Sequence, residues 1–278
     1  MPARDILKPP PLRRGDIIGI VAPASNIKPE ELEIGVARLT ELGYQVVLGD
    51  YVYDRDLYFA GSVEDRARDL RRMFERRDVR AIICARGGYG ANYLLPHIDV
   101  DVIRRNPKIF VGYSDITCLL TWITDETGLV AFHGPMAAKD FAHEGGIELE
   151  SWFGCMEGKS SFDLTIPQSL AIGDVEGELY GGCLSILAAS LGTNYEFECG
   201  DTILFLEDIG ARPYQIDRML MQLKYAGKLE GVRGIVFGDM LDCTQPGGQD
   251  YTLQDVILRV VGDLGVPVAF GLPSGHVR

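Results

Sequence analysis

VRAIICARGGYG, residues 79–90, decides how this chain folds. Val79, Ala81, Ile82, Ile83 and Cys84 form a near-continuous apolar run, too short for a helix and typical of a strand buried on both faces. The run passes straight into Arg86-Gly87-Gly88-Tyr89-Gly90. Glycines there let the backbone turn sharply and approach a ligand closely. A buried parallel strand ending in such a turn belongs to an α/β sheet, where ligands sit at the carboxyl ends of the strands.

The same pattern repeats on either side. Residues 17–22 (IIGIVA) and 44–48 (YQVVL) read as strands, and 108–113 (KIFVGY) as a fourth. A fifth begins at 129–132. Between them, Leu32, Val36, Leu39 and Leu42 fall at helical spacing, and Gly43 ends that helix. Ser62 with Asp65 marks a helix start, followed by the stripe Val63, Ala67, Leu70 and Phe74. A further helix runs from Asp115 to about Thr127. This strand–helix alternation predicts a doubly wound parallel sheet over residues 1–150. Glycine, serine and proline rise from about residue 140, and 151–175 reads as a linker. Residues 176–278 then predict a smaller mixed α/β domain. Its helices are expected at 184–191, 214–226 and 253–264, and its strands at 202–206, 234–238 and 266–270.

Bulk composition narrows the function classes. The 278 residues carry a formal net charge of −13, with 46% hydrophobic and 24% charged side chains. An acidic surface repels phosphate backbones and anionic lipid, so nucleic acid and membranes are poor partners. The start, MPARDILKPPPLRRGD, lacks the apolar segment of a secretory signal, and no apolar run reaches membrane-spanning length. A cytoplasmic location is expected. Six scattered cysteines lack paired spacing and read as packed free thiols. The four histidines (His97, His133, His143, His276) show no metal-ligand spacing, so neither metal nor cofactor is expected.

Four places can carry chemistry. Ser114, in Gly112-Tyr113-Ser114-Asp115, sits between a buried strand and a helix. It is either a helix cap or a nucleophile on a tight turn, with the Asp115 N–H beside it as an oxyanion donor. Ile116 stands where G-x-S-x-G would need glycine, which disfavours an α/β-hydrolase. The turn 86–90 offers Gly88 as a second donor and Arg86 or Tyr89 as ligand contacts. It lacks both a Walker lysine and G-x-G-x-x-G, and a purely structural turn stays open. Glu207 and Asp208 close the strand ILFLED as solvated ends or site acids. His276, after Pro273-Ser274-Gly275, is structural or a base.

Taken together, ARGGYG, GYSD, LYGGCLSILAASLGT, LFLEDIG with PYQIDRML, and GLPSGH are similar to segments of the LD-carboxypeptidase family of serine peptidases, in the family's order and over nearly the whole chain. The resemblance implies a catalytic Ser114, Glu207 and His276. It places the site between an amino-terminal parallel domain and a smaller carboxyl-terminal one. It further implies a murein-peptide substrate losing its terminal D-alanine, cytoplasmic cell-wall recycling and a homodimer. Arg86 and Arg212 are candidates for the substrate's carboxylates, since guanidinium pairs with them in bidentate fashion. One branch of the family instead hydrolyses acyl-adenylate antibiotics, and a non-catalytic peptide-binding module is the third reading. Cys183 stands where the resemblance implies asparagine. Arg278 follows His276 by two residues, where the family's chains usually run on into a further strand.

Overall fold

The structure is a computed structural model that describes residues 6–159, 163–245, 247 and 250–277. It divides into two compact units, Pro2–Phe162 and Asp163–Arg278.

The first unit is built on five parallel strands: β1 (Ile17–Val21), β2 (Gln45–Leu48), β3 (Val79–Cys84), β4 (Ile109–Gly112) and β5 (Phe132–His133). Their order is β2-β1-β3-β4-β5. This order reverses direction at β1, so the β1 and β3 carboxyl ends flank the crevice where such sheets hold ligands. Alternate residues serve opposite faces. Ile18, Ile20, Ala81, Ile83, Ile109 and Val111 join Leu32 and Leu39 of α1 (Pro29–Glu41) in one buried cluster. The other face receives α2 (Val63–Glu75), whose Met73 packs so closely over Gly19 that a Cβ there would lie 2.7 Å from its sulfur. Ser62 caps α2 as expected, accepting from Asp65 N–H at 3.1 Å. α3 (Val100–Arg105) and α4 (Thr117–Thr127) complete the layer, with a 3₁₀ segment at Ala91–His97.

Parts of the expected linker, residues 151–175, are regular structure, while residues 160–162 within it lie outside the described residues. α5 (Leu149–Met156) lies across its start and belongs to the first unit, where Trp152 and Met156 are buried and Trp152 packs edge-on against Phe141. The glycines at 145, 146, 154 and 158 hid this helix, although Glu148 caps it by accepting from Glu150 and Ser151 N–H. β6 (Gln168–Ala171) follows and pairs antiparallel with the last strand of the second unit. The fifth strand also begins later than expected, because Leu129 forms a lone bridge with Leu7 instead.

The second unit has the strand order β6-β10-β9-β8-β7, with β7 (Glu178–Cys183), β8 (Thr202–Ile209), β9 (Gly234–Leu241) and β10 (Val268–Phe270) mutually parallel. β7 escaped the sequence reading because Gly181 and Gly182 sit inside it with positive φ, and interior glycine weakens a strand signal. The paired rows Leu204–Ile235 and Leu206–Phe237 are buried with α6 (Leu184–Ser190), α7 (Pro213–Tyr225) and α8 (Leu253–Val261). The fold is therefore α/β in both parts, parallel in the first and mixed in the second.

One glycine tests the packing directly. Gly35 of α1 lies against the Ala137 carbonyl, and a Cβ there would come within 1.9 Å of that oxygen. Gly35→Ala should lower stability by about 1–3 kcal/mol through overpacking. Gly262→Ala, which meets nothing within 4 Å, should stay within about 0.5 kcal/mol of the parent in chemical denaturation.

Candidate active site

Ser114 follows β4 and opens a 3₁₀ turn, Ser114–Ile116, that leads into α4. Its φ is +61°, while Tyr113 before it is fully extended. A non-glycine residue held left-handed costs about 1–3 kcal/mol and persists only when its surroundings demand it. An N-cap residue is extended, not left-handed, so the capping alternative for Ser114 falls away. The close turn needs Gly112, where a Cβ would lie 2.8 Å from Ile116 Cγ2.

The glycine turn after β3 comes directly against this serine. A Cβ on Gly87 would stand 2.9 Å from Ser114 Cβ, 3.2 Å from its Oγ and 3.3 Å from Asp115 N. Gly87 is thus the glycine that keeps space open beside the hydroxyl. Gly88, with φ +103°, turns instead over Ser25, whose Oγ would lie 2.4 Å from its Cβ. Ser25 accepts from Tyr89 N–H at 3.1 Å and donates its own N–H to Gly87 O at 3.3 Å. Arg86 is half-buried and donates to Asn26 O at 3.3 Å. Tyr89 is exposed and edges onto Tyr93.

Asp115 is only 3% exposed, and its carboxylate accepts from Ala91 N–H at 2.8 Å. Burial pushes its pKa up to about 6. Beside it Arg66, 2% exposed, donates from Nη1 to Pro23 O at 2.7 Å and Gly90 O at 2.8 Å. The sequence singles out neither Ser25 nor Arg66, and within the glycine turn it favours Gly88 over Gly87. Ser25 carries the weak signal of following a buried strand. Arg66 carries none, since an arginine on an amphipathic helix ordinarily faces water.

The second unit brings Glu207 and His276 together. Glu207 is fully buried and His276 is 5% exposed. One oxygen of Glu207, Oε2, meets His276 Nδ1 at 2.7 Å and accepts the His276 backbone N–H at 3.1 Å. A carboxylate is the acceptor here, so Nδ1 carries the proton and Nε2 is the basic nitrogen. Glycines permit this contact. Gly275 has φ +110°, and its Cβ would fall 2.6 Å from Glu207 Oε2. Across from Glu207 the β8–β9 register slips, and Gly238 admits Ser274, whose carbonyl accepts from Asp239 N–H at 3.0 Å. Asp208 points elsewhere and accepts from Ser185 N–H at 2.8 Å in the first turn of α6. Cys183, paired with Glu207 across β7–β8, is buried and touches Ser185 Oγ through its sulfur at 3.3 Å.

The remaining expected residues have plainer settings. Arg212 precedes α7, exposed, with its N–H donated to Gln215 Oε1 at 2.8 Å. His133 packs on the Tyr113 ring. All six cysteines are free, and burial pushes the Cys84 thiol far up, which disfavours it as a nucleophile. Among the described residues no cluster of potential ligands could hold a metal ion, and no helix is long and apolar enough to cross a membrane.

The first unit thus holds a serine on a strained strand-to-helix turn, and the second holds a buried acid–histidine pair. Residues 18–134 match the LD-carboxypeptidase N-terminal domain and residues 176–278 match the LD-carboxypeptidase C-terminal domain. The chain belongs to the LD-carboxypeptidase family. It is 40% identical over 275 residues to the probable murein peptide carboxypeptidase of Bacillus subtilis (strain 168), covering 97% of this chain and 86% of that one. The muramoyltetrapeptide carboxypeptidase structure from Oxalobacter formigenes superposes with a TM-score of 0.79 at 31% identity, covering 94% of this chain and 89% of that one. Microcin C7 self-immunity protein MccF in complex with aspartyl sulfamoyl adenosine gives a TM-score of 0.90 at 27% identity, covering 97% and 91%.

Two changes probe these parts. Gly275→Ala places a methyl on Glu207 Oε2 in a backbone conformation that disfavours it. It should abolish the downfield Nδ1–H proton resonance of His276 in NMR spectra and lower stability by about 2 kcal/mol. Asp115 offers a pH test. Its folded pKa of about 6 lies above the ordinary 3.8, so between those values the folded chain holds a proton that the unfolded chain has released. The stabilisation is complete below about pH 4 and is lost as pH rises through 6. Asp115→Asn should therefore be more stable than the parent at pH 7.5, by up to ~3 kcal/mol, with the gap shrinking to about 1 kcal/mol at pH 4.5 and closing below pH 4.

Proposed function

We propose that this chain is a serine-type carboxypeptidase that removes the terminal D-alanine from murein tetrapeptides, cleaving after an L-centre. The observation that carries the chemistry is the buried Glu207–His276 hydrogen bond of 2.7 Å, which leaves imidazole Nε2 as the proton acceptor. The 40% identity to a probable murein peptide carboxypeptidase supports the substrate.

Ser114 Oγ attacks the carbonyl carbon of the scissile peptide while its proton passes to His276 Nε2. A serine hydroxyl is a poor nucleophile without such a base. The carbonyl oxygen becomes an oxyanion, stabilised by the N–H groups of Asp115 and Gly88; each such donor is worth roughly 3–4 kcal/mol of barrier. His276 then returns the proton to the leaving amine, and free D-alanine departs. Water, deprotonated by the same imidazole, releases the shortened peptide from Ser114. Glu207 holds the ring in one tautomer and stabilises the imidazolium that forms twice per cycle. Arg86 and Arg212 bind substrate carboxylates, and Tyr89 lies along the peptide. The protein acts in the cytoplasm as a homodimer, recycling cell-wall peptides.

The decisive assay is D-alanine release from a tetrapeptide ending in diaminopimelyl- or lysyl-D-alanine. The parent should release D-alanine, and Ser114→Ala should lose at least ~10⁴-fold in kcat with its fold intact. Release that survives in Ser114→Ala would rule out the serine mechanism. No release from either, together with hydrolysis of an aminoacyl sulfamoyl adenylate by the parent, would shift the substrate to the class bound by MccF.

A further inference from the structure

We propose that Arg66 and the carboxylate of Asp115 are positioning residues that clamp the glycine turn 86–91 against the nucleophile. This inference rests on Ser114 acting as proposed above. The turn is flexible in itself: Gly88 and Gly90 both have positive φ, at +103° and +114°. Glycines lose more freedom on ordering than any other residue, so an ordered turn needs external ties. Three are present. Ser25, in the loop after β1, holds Tyr89 N–H and Gly87 O. Asp115 Oδ2 holds Ala91 N–H at 2.8 Å. Arg66 Nη1 joins Gly90 O at 2.8 Å to Pro23 O at 2.7 Å, while its Nε donates to Ser62 O at 3.3 Å.

Two of these ties are charged groups taken almost wholly out of water. Burying a guanidinium to satisfy neutral carbonyls is an expensive way to hold a loop. Its guanidinium also lies over the Phe59 ring, 4.9 Å from the centroid, which fixes its plane. Both carbonyls on Nη1 belong to segments framing the nucleophile: Pro23 leads to Ser25, and Gly90 closes the turn that carries Gly87. Asp115 links the frame to the reacting residue itself. Its backbone N–H faces Gly87, and its side chain, on the same residue, anchors the far end of the same turn. Of the three ties, Asp115 is the one that joins the turn directly to the residue next to Ser114. Slack in that link would loosen the oxyanion donors in the transition state while leaving ground-state peptide binding largely intact.

The experiment is steady-state D-alanine release by Asp115→Ala, Asp115→Asn, Arg66→Met and Arg66→Lys, each checked for parental circular dichroism, with Ser114→Ala as control. Asp115→Ala should lower kcat about 100-fold with KM within about 3-fold. Asp115→Asn keeps an oxygen for Ala91 N–H and should recover to within about 10-fold of the parent. Arg66→Met should resemble Asp115→Ala, and Arg66→Lys should fall between it and the parent. If Arg66→Met does not fold, the Asp115 pair decides. Parental kcat in folded Asp115→Ala, or a rise in KM alone, would overturn the clamp. In that case a dead Ser114→Ala would show that the serine reading still stands. Release undiminished in Ser114→Ala would instead remove the serine reading and the clamp with it.

Discussion

A fully buried carboxylate must find a partner or give up its charge. Glu207 has its partner in His276, and much of the second unit's local architecture follows from that need. The segment after β10 has to return over β8, and it does so only because Gly238 and Gly275 leave room. The register slip between β8 and β9 places the extra residue opposite Glu207. Bulges of this kind commonly re-aim side chains beside functional sites. The backbone N–H and ring of His276 then close on the same oxygen, so the histidine is fixed in orientation as well as position.

The first unit solves a matching problem with backbone strain. Ser114 is held left-handed by the packing of Gly112 against Ile116, and the neighbouring turn is tied at several points to β1, α2 and Asp115. The sheet order puts the carboxyl ends of β1 and β3 together at its switch point, and both supply parts of this frame. The same physical device, a glycine where a Cβ would collide with a working side chain, appears in both units at Gly87 and Gly275.

Much of this was legible in the sequence where local signals agree. The apolar runs ending at Val21, Cys84 and Gly112 marked the parallel sheet, and Ser62 marked the start of α2. Hidden elements are those where glycine obscures periodicity: β7 with Gly181 and Gly182, and α5 among its flanking glycines. The resemblance of the segments around Ser114, Glu207 and His276 implied a shared role, and the Glu207–His276 contact lies within the second unit. Arg66 was illegible and Ser25 only faintly marked, because their partners are backbone carbonyls and amides far along the chain. Spacing in sequence carries no trace of such contacts. Likewise, the strand by itself leaves Glu207 and Asp208 equivalent; the resemblance singles out Glu207, and the partners of the two acids set them apart.

That last pair has an evolutionary corollary. Adjacent residues on a strand face opposite ways, so Glu207 meets the histidine while Asp208 serves the start of α6. A single-residue deletion upstream in β8 would carry Asp208 to the place of Glu207, and an insertion would carry Glu207 to the place of Asp208. After the deletion the shorter aspartate would face the imidazole; after the insertion the longer glutamate would crowd the helix start. A change in length moves every later side chain of the strand, whereas a substitution alters one, so β8 should tolerate substitutions at its other positions far better than insertions or deletions.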